Sequence, residues 1–236
     1  MAALGDSITV GFASCFTLVT CQRRSWSTGS DSLVNSHYRR ILQGNPKIKG
    51  HAYNYAEPGA RAADLAGQAR SAVESKPQYV TVLIGGNDAC SAMTPVRTFR
   101  NQVDAALRTL RTGLPKARVL VVSVPDLYRL WQVGHEEPKA VRAWNRGICP
   151  ELLANPTSTA PADDERRQRV AERIEAYNRQ LAAACEAYGK KCRWDRGRVH
   201  GVRFSLDLVN RLDYFHPSTE GQAALAEVSY PGRFTW

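Results

Sequence analysis

The sequence predicts an α/β protein, a three-layer α/β/α sandwich with a central parallel sheet and helices on both faces. Three observations lead there. Residues 79–84 (YVTVLI) and 118–124 (RVLVVSV) are continuous runs rich in β-branched residues, the composition of strands buried on both faces. Other stretches carry apolar residues at helical spacing. The two kinds of stretch alternate along the chain, as they do where parallel strands are joined by helical crossovers.

In chain order, residues 1–4 form a short apolar strand ending at Gly5-Asp6-Ser7, and 51–55 can form a second strand. A helix starts at Pro95 and presents Val96, Phe99, Val103, Leu107 and Leu110 before Gly113 stops it. Residues 164–188 repeat the pattern with Val170, Ile174, Tyr177, Leu181 and Cys185, ended by Gly189. Arg166, Arg167, Arg169 and Arg173 fall on the polar side of that helix and read as a solvated face. Ser218 or Thr219 caps a last helix through 223–228. The Pro-, Asn- and Thr-rich piece 155–162 reads as a surface loop and not a boundary. Residues 1–236 are therefore expected to form a single domain.

At 236 residues, 43% apolar and 23% charged, the chain can bury a substantial core. Seventeen Gly and twelve Pro exclude collagen-like and disordered classes. A net charge of +10 attracts nucleic acid, anionic lipid headgroups or acidic polysaccharide. No nucleic-acid motif and no basic stripe with interleaved aromatics occurs, so nucleic acid is not the expected partner. The longest uncharged stretch, 7–22, has sixteen residues dotted with Ser, Thr and Cys, too short and too polar for a spanning helix. It lacks the preceding basic region of a signal peptide, and the chain reads as a mature form that starts just before its first strand.

Six cysteines with no C-x-x-C and no Cys/His cluster at zinc spacing argue against a metal site and for disulfides in an oxidising compartment. Six cysteines allow 15 pairings. Local closure has a low entropic cost, which favours Cys15–Cys21 and Cys185–Cys192 and leaves Cys90 with Cys149. The competing reading is six buried free thiols in a reducing compartment.

Ligands of such sheets bind beyond the carboxyl ends of the strands. The segments placed there are Gly5-Asp6-Ser7-Ile8, Gly85-Gly86-Asn87-Asp88 and Pro125-Asp126-Leu127-Tyr128, with Asp213-Tyr214-Phe215-His216-Pro217 near the chain's end. A serine hydroxyl needs a base to take its proton, usually a histidine held by a carboxylate. Of the five histidines, His37 lies in a helical run, His51 in a strand, His200 in a basic stretch, and His135 in a His-Glu-Glu-Pro that is not a zinc motif. His216 alone has a carboxylate, Asp213, at a short offset in a loop. The G-x-S-x-G elbow is absent, so a nucleophilic serine must be presented in another way. Asp6 and Asp88 are read as hydrogen-bonding residues of their turns.

Gly5-Asp6-Ser7-Ile8, Gly59 in Asn-Tyr-Ala-Glu-Pro-Gly-Ala-Arg, Gly85-x-Asn87-Asp88 and Asp213-x-x-His216 occur in that order and span the chain. Together they resemble the four blocks of the SGNH (GDSL-type) hydrolase family. Cys15 and Cys21 just after the first block, with Ser25-Trp26-Ser27-Thr28-Gly29, further resemble secreted actinobacterial (Streptomyces-like) lipases and phospholipases of phospholipase-B type. The resemblance implies a flavodoxin-like sheet and no cofactor. It makes Ser7 the nucleophile, His216 the general base and then acid, and Asp213 the residue that orients His216. The N–H groups of Ser7 and Gly59 and the amide of Asn87 would form the oxyanion hole. Gly59 would admit close approach for want of a Cβ, and Ser7 would sit at the positive end of a following helix.

Substrate class rests on less. Tyr128, Leu130 and Trp131 follow a strand at its carboxyl end, and there they would suit an acyl chain or lipid interface; packing beneath the connection through Pro138, Trp144 and Cys149 is the equal alternative. Leu33, Val34 and residues 204–209 are further candidate walls. The reading is a secreted, monomeric serine hydrolase of lipid esters without an obligate protein partner, aided at anionic membranes or micelles by its positive charge. A carbohydrate acetylesterase or small-ester esterase on the same scaffold is the alternative. A non-catalytic basic polyanion-binding protein is the distant one.

Overall fold

A computed structural model describes residues 1–236. Five parallel strands, β1 (Ala2–Gly5), β2 (Tyr53–Asn54), β3 (Tyr79–Leu83), β4 (Arg118–Val122) and β5 (Cys192–Trp194), lie in the order β2-β1-β3-β4-β5. Strand order reverses between β1 and β3, where Gly5 pairs with Leu83. The carboxyl ends of those two strands therefore border the crevice in which such sheets bind ligands.

Nine helices connect and cover the strands. They are α1 (His37–Gly44), α2 (Leu65–Glu74), α3 (Gly86–Cys90), α4 (Val96–Gly113), α5 (Leu127–Gly134), α6 (Pro138–Trp144), α7 (Pro150–Leu153), α8 (Pro161–Tyr188) and α9 (Thr219–Ser229). Helices α2, α4 and α8 pack side by side against the sheet. The apolar row Phe99, Val103, Leu107 and Leu110 of α4 is buried, as is Val170, Ile174, Tyr177 and Leu181 of α8. On α1, His37 is fully buried, within 2.9 Å of both the Tyr79 and Ser229 hydroxyls, and so ties α1 to β3 and α9. Burial holds its imidazole neutral, with a pKa lowered to about 3. Ser218 caps α9, accepting from the Gly221 N–H at 3.2 Å.

Several expectations are corrected. The second strand spans only Tyr53 and Asn54, and His51 lies outside it, exposed. A fifth strand, β5, forms from Cys-Arg-Trp, a tripeptide too short for periodicity to reveal. Helix α8 starts at Pro161, taking residues 161 and 162 from the expected loop. After Ser7 the chain turns irregularly, with no regular helix before α1 apart from a short 3-10 turn at Gln22–Arg24, because Gly11 (φ +72°) and Ala13 (φ +60°) leave the helical region. The arginine face of α8 is only partly solvated. Arg167 is fully buried, its guanidinium 4.3 Å from the centre of the Trp131 ring and donating to the Ser158 carbonyl at 2.6 Å. Arg173 reaches the Thr94 carbonyl at 2.7 Å.

The end of β1 is held by one side chain. The Gly5 N–H donates to Gln68 Oε1 at 2.8 Å, and Gln68 Nε2 donates to the Gly5 carbonyl at 2.9 Å. Gln68, buried on α2, thus extends the sheet's hydrogen bonding past the end of the short β2. Gln68→Leu leaves the buried Gly5 N–H without a partner and is expected to lower unfolding free energy by about 2–4 kcal/mol. Urea unfolding at neutral pH measures this; a change below 1 kcal/mol would contradict the assigned role.

Candidate active site

Beyond β1 the chain reverses at Asp6 and Ser7. Asp6 is buried, and its Oδ1 accepts from the Ile8 N–H at 2.9 Å, which fixes the turn that presents Ser7. The Ser7 Oγ lies 2.8 Å from His216 Nε2, and His216 Nδ1 lies 2.7 Å from Asp213 Oδ2. The sequence separates Ser7 from His216 by 209 positions. The groups expected as nucleophile, base and orienting carboxylate are therefore all within hydrogen-bond reach of one another.

The loop carrying Asp213 and His216 is built on Asn210. Asn210 Oδ1 accepts from the N–H groups of Leu212 and Asp213 at 2.9 and 3.0 Å. Its Nδ2 donates to Asp213 Oδ1 at 2.6 Å and to the His216 carbonyl at 3.1 Å. Asp213 Oδ1 also accepts from the N–H groups of Phe215 and His216 at 2.8 and 3.0 Å. Burial acts to raise the Asp213 carboxyl pKa, but the hydrogen bond and charge of His216 and these N–H groups outweigh it and hold the carboxyl below its usual range. The Phe12 ring lies 4.8 Å from that of His216, and Phe215 meets His216 edge-on at 5.1 Å.

Three donors face the same cleft. The N–H groups of Ser7 and Gly59 have no acceptor within the protein. Asn87, at the start of α3, gives one amide hydrogen to the Ala60 carbonyl at 2.9 Å, which orients the –NH₂ and leaves it a second hydrogen. Glu57-Pro58-Gly59-Ala60 is a β-turn closed by Ala60 N–H donating to the Glu57 carbonyl at 3.1 Å, with Gly59 at φ +81°. Pro and Gly at the two central positions are the signature of a type II turn. Gly59 supplies that positive φ, and within the protein a Cβ there would meet nothing within 4 Å.

The cleft holds about 220 Å³ and is lined by Ser7, Phe12, Pro58, Gly59, Asn87, Cys90, Ile148, Cys149, Phe215 and His216. Cys90 and Cys149 are bonded to each other in its wall, and the pairs Cys15–Cys21 and Cys185–Cys192 are also present. No cysteine is free. Tyr128, Leu130 and Trp131 do not reach this cleft. Asp126 accepts from the Arg129 N–H at 3.0 Å and starts α5 directly after β4, which turns the apolar side of α5 inward. Leu130 is buried, Trp131 Nε1 donates to the Pro156 carbonyl at 2.8 Å beneath Arg167, and Tyr128 tilts against Trp131. They pack under the connection. Leu33, Val34 and residues 204–209 are not among the lining residues either. His135 bonds to the Trp131 and Gln132 carbonyls, and His200 to that of Val124. The apolar walls Phe12, Ile148 and Phe215, and the organising Asn210, escaped the sequence reading; for Asn210 the only signal was its position three residues before Asp213.

The GDSL-like Lipase/Acylhydrolase family profile matches residues 3–224. The chain belongs to this family. It is 28% identical over 193 residues to the membrane-associated phospholipase B1 of Rattus norvegicus, an alignment covering 65% of this chain and 13% of that protein's length. The structure of phospholipase A1 from Streptomyces albidoflavus superposes with a TM-score of 0.55 at 19% identity, covering 96% of each chain. Axe2, an acetylxylan esterase from Geobacillus stearothermophilus, gives 0.56 at 14% identity, covering 96% of this chain and 90% of that one. At those identities the two structures speak for the shared fold. No helix is long and apolar enough to cross a membrane.

Two further carboxyls near the site, Asp6 and Asp88, are buried. Asp88 Oδ1 accepts from the Thr94 hydroxyl at 2.8 Å and its Oδ2 from the Ala62 N–H at 3.0 Å, and burial raises its pKa. Burial pushes the Asp6 carboxyl up to about 7, with the nearby Asp88 charge adding to the rise against the opposing Ile8 hydrogen bond and His216 charge. A folded-state carboxyl that keeps its proton to about pH 7, while the unfolded chain releases it near pH 4, withdraws stability as pH rises between those values. Asp213 acts in the opposite sense, its contribution being lost on acidification below the usual carboxylate range. Asp6→Asn keeps an acceptor for the Ile8 N–H and removes the Asp6 titration. Between pH 4 and 8 the variant is expected to gain up to about 4 kcal/mol relative to wild type. Urea unfolding at both pH values measures the gain, and parallel stability profiles for the two proteins would contradict it.

Proposed function

We propose that this protein hydrolyses carboxylic esters of lipids through an acyl-enzyme on Ser7. The observation that carries this reading is the Ser7–His216–Asp213 chain of hydrogen bonds at 2.8 and 2.7 Å, beside two backbone N–H groups without acceptors and the Asn87 amide. In this reading Ser7 Oγ attacks the ester carbonyl carbon while its proton passes to His216 Nε2. Asp213 stabilises the imidazolium through Nδ1–H and keeps the ring aligned. The negative oxygen is received by the Ser7 and Gly59 N–H groups and by Asn87, donors each worth roughly 3–4 kcal/mol in comparable sites. His216 then gives the proton to the departing alcohol oxygen. Water, deprotonated by the same nitrogen, releases the acid and restores Ser7.

Lipid as the acyl donor is supported by the walls Phe12, Pro58, Ile148 and Phe215, by the net charge of +10, and by similarity to a phospholipase B1. Since the chain spans only 13% of that relative's length, the relative's substrates are a guide to assays. The second reading, a small-ester or carbohydrate acetyl esterase, is favoured by one feature. At about 220 Å³ the cleft is smaller than the roughly 300–1,000 Å³ typical of ligand pockets. Secretion is part of the proposal, supported by the pairing of all six cysteines, as is action as a monomer.

Ser7→Ala and His216→Ala are each expected to lower kcat by about 10⁶-fold, and Asp213→Asn by less, about 10⁴-fold. A fluorophosphonate should label wild type at Ser7, and EDTA should leave hydrolysis of a short soluble ester unchanged. Labelling at another serine, or an active Ser7→Ala protein, would overturn the assignment. Initial rates on diacyl phospholipid, lysophospholipid, triglyceride, p-nitrophenyl acetate and acetylated xylan separate the two readings. The lipid reading expects long-acyl esters to lead in kcat/KM, and preference for acetylated xylan decides for the alternative.

A further inference from the structure

The large apolar side chains that remain exposed are few, and three of them share one short loop. Phe16 is 76% exposed, Leu18 49% and Val19 56%; the other two are Leu33 and Leu212. The loop Cys15–Cys21 is closed by its own disulfide and follows directly on the nucleophile turn. Phe12, in the cleft wall and against His216, precedes it by three residues. Leu212 directly precedes Asp213, so exposed apolar residues flank both ends of the hydrogen-bonded chain in sequence.

The loop is fixed at its base and free at its tip. The Ala13 N–H donates to the Val19 carbonyl at 2.9 Å. The Ser14 carbonyl accepts from Arg24 Nη1 at 2.7 Å and from the Thr219 hydroxyl at 3.0 Å, which anchors the loop to the first residue of α9, three positions beyond His216. Arg24 lies 5.2 Å from the centre of the Phe16 ring, and the neighbouring Arg23 side chain is 60% exposed. Ala13 and Phe16 both have positive φ (+60° and +63°), a conformation that costs a residue with a Cβ energy. A rigid loop that projects a phenylalanine, a leucine and a valine into water is unfavourable unless something apolar receives them.

We propose that the Cys15–Cys21 loop docks this protein on the surface of an anionic phospholipid bilayer. The phenylalanine, leucine and valine enter the boundary between headgroups and acyl chains, and Thr17 and Thr20 remain at headgroup level. Three apolar side chains on a closed loop bury a small area, so the loop is a reversible anchor. The net charge of +10 supplies the attraction that makes such an anchor sufficient on an anionic surface. Docked in this way, the loop brings Ser7 to the lipid without the protein leaving the interface between turnovers. The inference rests on the lipid-ester reading for its purpose but not for its test.

The test measures binding apart from catalysis. Ser7→Ala protein is sedimented with vesicles of phosphatidylglycerol and, separately, of phosphatidylcholine. It is expected to partition onto phosphatidylglycerol at least tenfold more strongly, and substitution of Phe16→Ser, Leu18→Ser and Val19→Ser together should reduce that partition at least tenfold. In the wild-type background the same triple substitution should leave p-nitrophenyl butyrate hydrolysis within twofold and the circular-dichroism spectrum unchanged. Phe16→Trp provides a second readout that keeps the loop apolar: its fluorescence should shift to the blue on adding phosphatidylglycerol vesicles. Undiminished sedimentation of the triple variant, an unshifted spectrum, or equal partition onto both lipids would overturn the proposal. Loss of the soluble-ester rate would assign the loop to the cleft, and a wild-type dimer dissociated by the triple substitution would assign it to self-association; either also overturns docking. Vesicle binding without hydrolysis of diacyl phospholipid, lysophospholipid or triglyceride would instead overturn the lipid-ester reading and leave the docking surface standing.

Discussion

One close approach sets the geometry of the whole site. Gly5 at the end of β1 sits so near β3 that a Cβ would come within 2.4 Å of the Leu83 carbonyl oxygen. That contact brings together the ends of two parallel strands at the point where strand order reverses. Ser7 leaves from one end and Asn87 from the other. Ser7 and the Asn87 amide are thus placed by sheet register, while Gln68 secures Gly5 on the side where β2 has already ended. A site on strand ends is more precise than one on free loops, because the sheet resists displacement of either end.

The remaining members are loop residues, and they are stabilised by dense local hydrogen bonding. Asn210 performs for Asp213 and His216 what the sheet performs for Ser7, with both its amide ends committed to the same six-residue loop. Asp213 in turn receives three further hydrogens. The carboxylate therefore stays charged in a buried position, which is the state needed opposite a base that becomes cationic. Asp6 shows the contrary arrangement. It accepts one backbone N–H, faces Asp88 across the interior, and keeps its proton near neutrality.

The strands 79–83 and 118–122 and the helices α4 and α8 were legible because long apolar patterns have one stable solution. The four short blocks were legible as chemistry because each residue type has a narrow use. The walls were not. Phe12 and Phe215 are ordinary aromatic residues until folding puts both beside His216, and Ile148 reaches the cleft only at the end of a long connection. Tyr128 and Trp131 misled for the same reason. A strand's carboxyl end is close to a site only on average, and the Asp126 cap turned this stretch into a helix that faces Arg167. Arg167 shows the limit of charge patterning, since its place on the helix gave no sign of the aromatic ring that covers it.

The Cys90–Cys149 bond has a consequence for how such a protein diversifies. It joins the helix that carries Asn87 to the residue beside Ile148, so one covalent link fixes a wall position across a sequence separation of 59. The side chain at 148 makes no hydrogen bond to the reacting groups. A change of size there reshapes the wall without touching the Ser7–His216–Asp213 hydrogen bonds. Helices α5 and α6 lie within the bridged segment, and none of their residues lines the cleft. The wall at 148 can thus vary in shape independently of the hydrogen-bonded chain it faces.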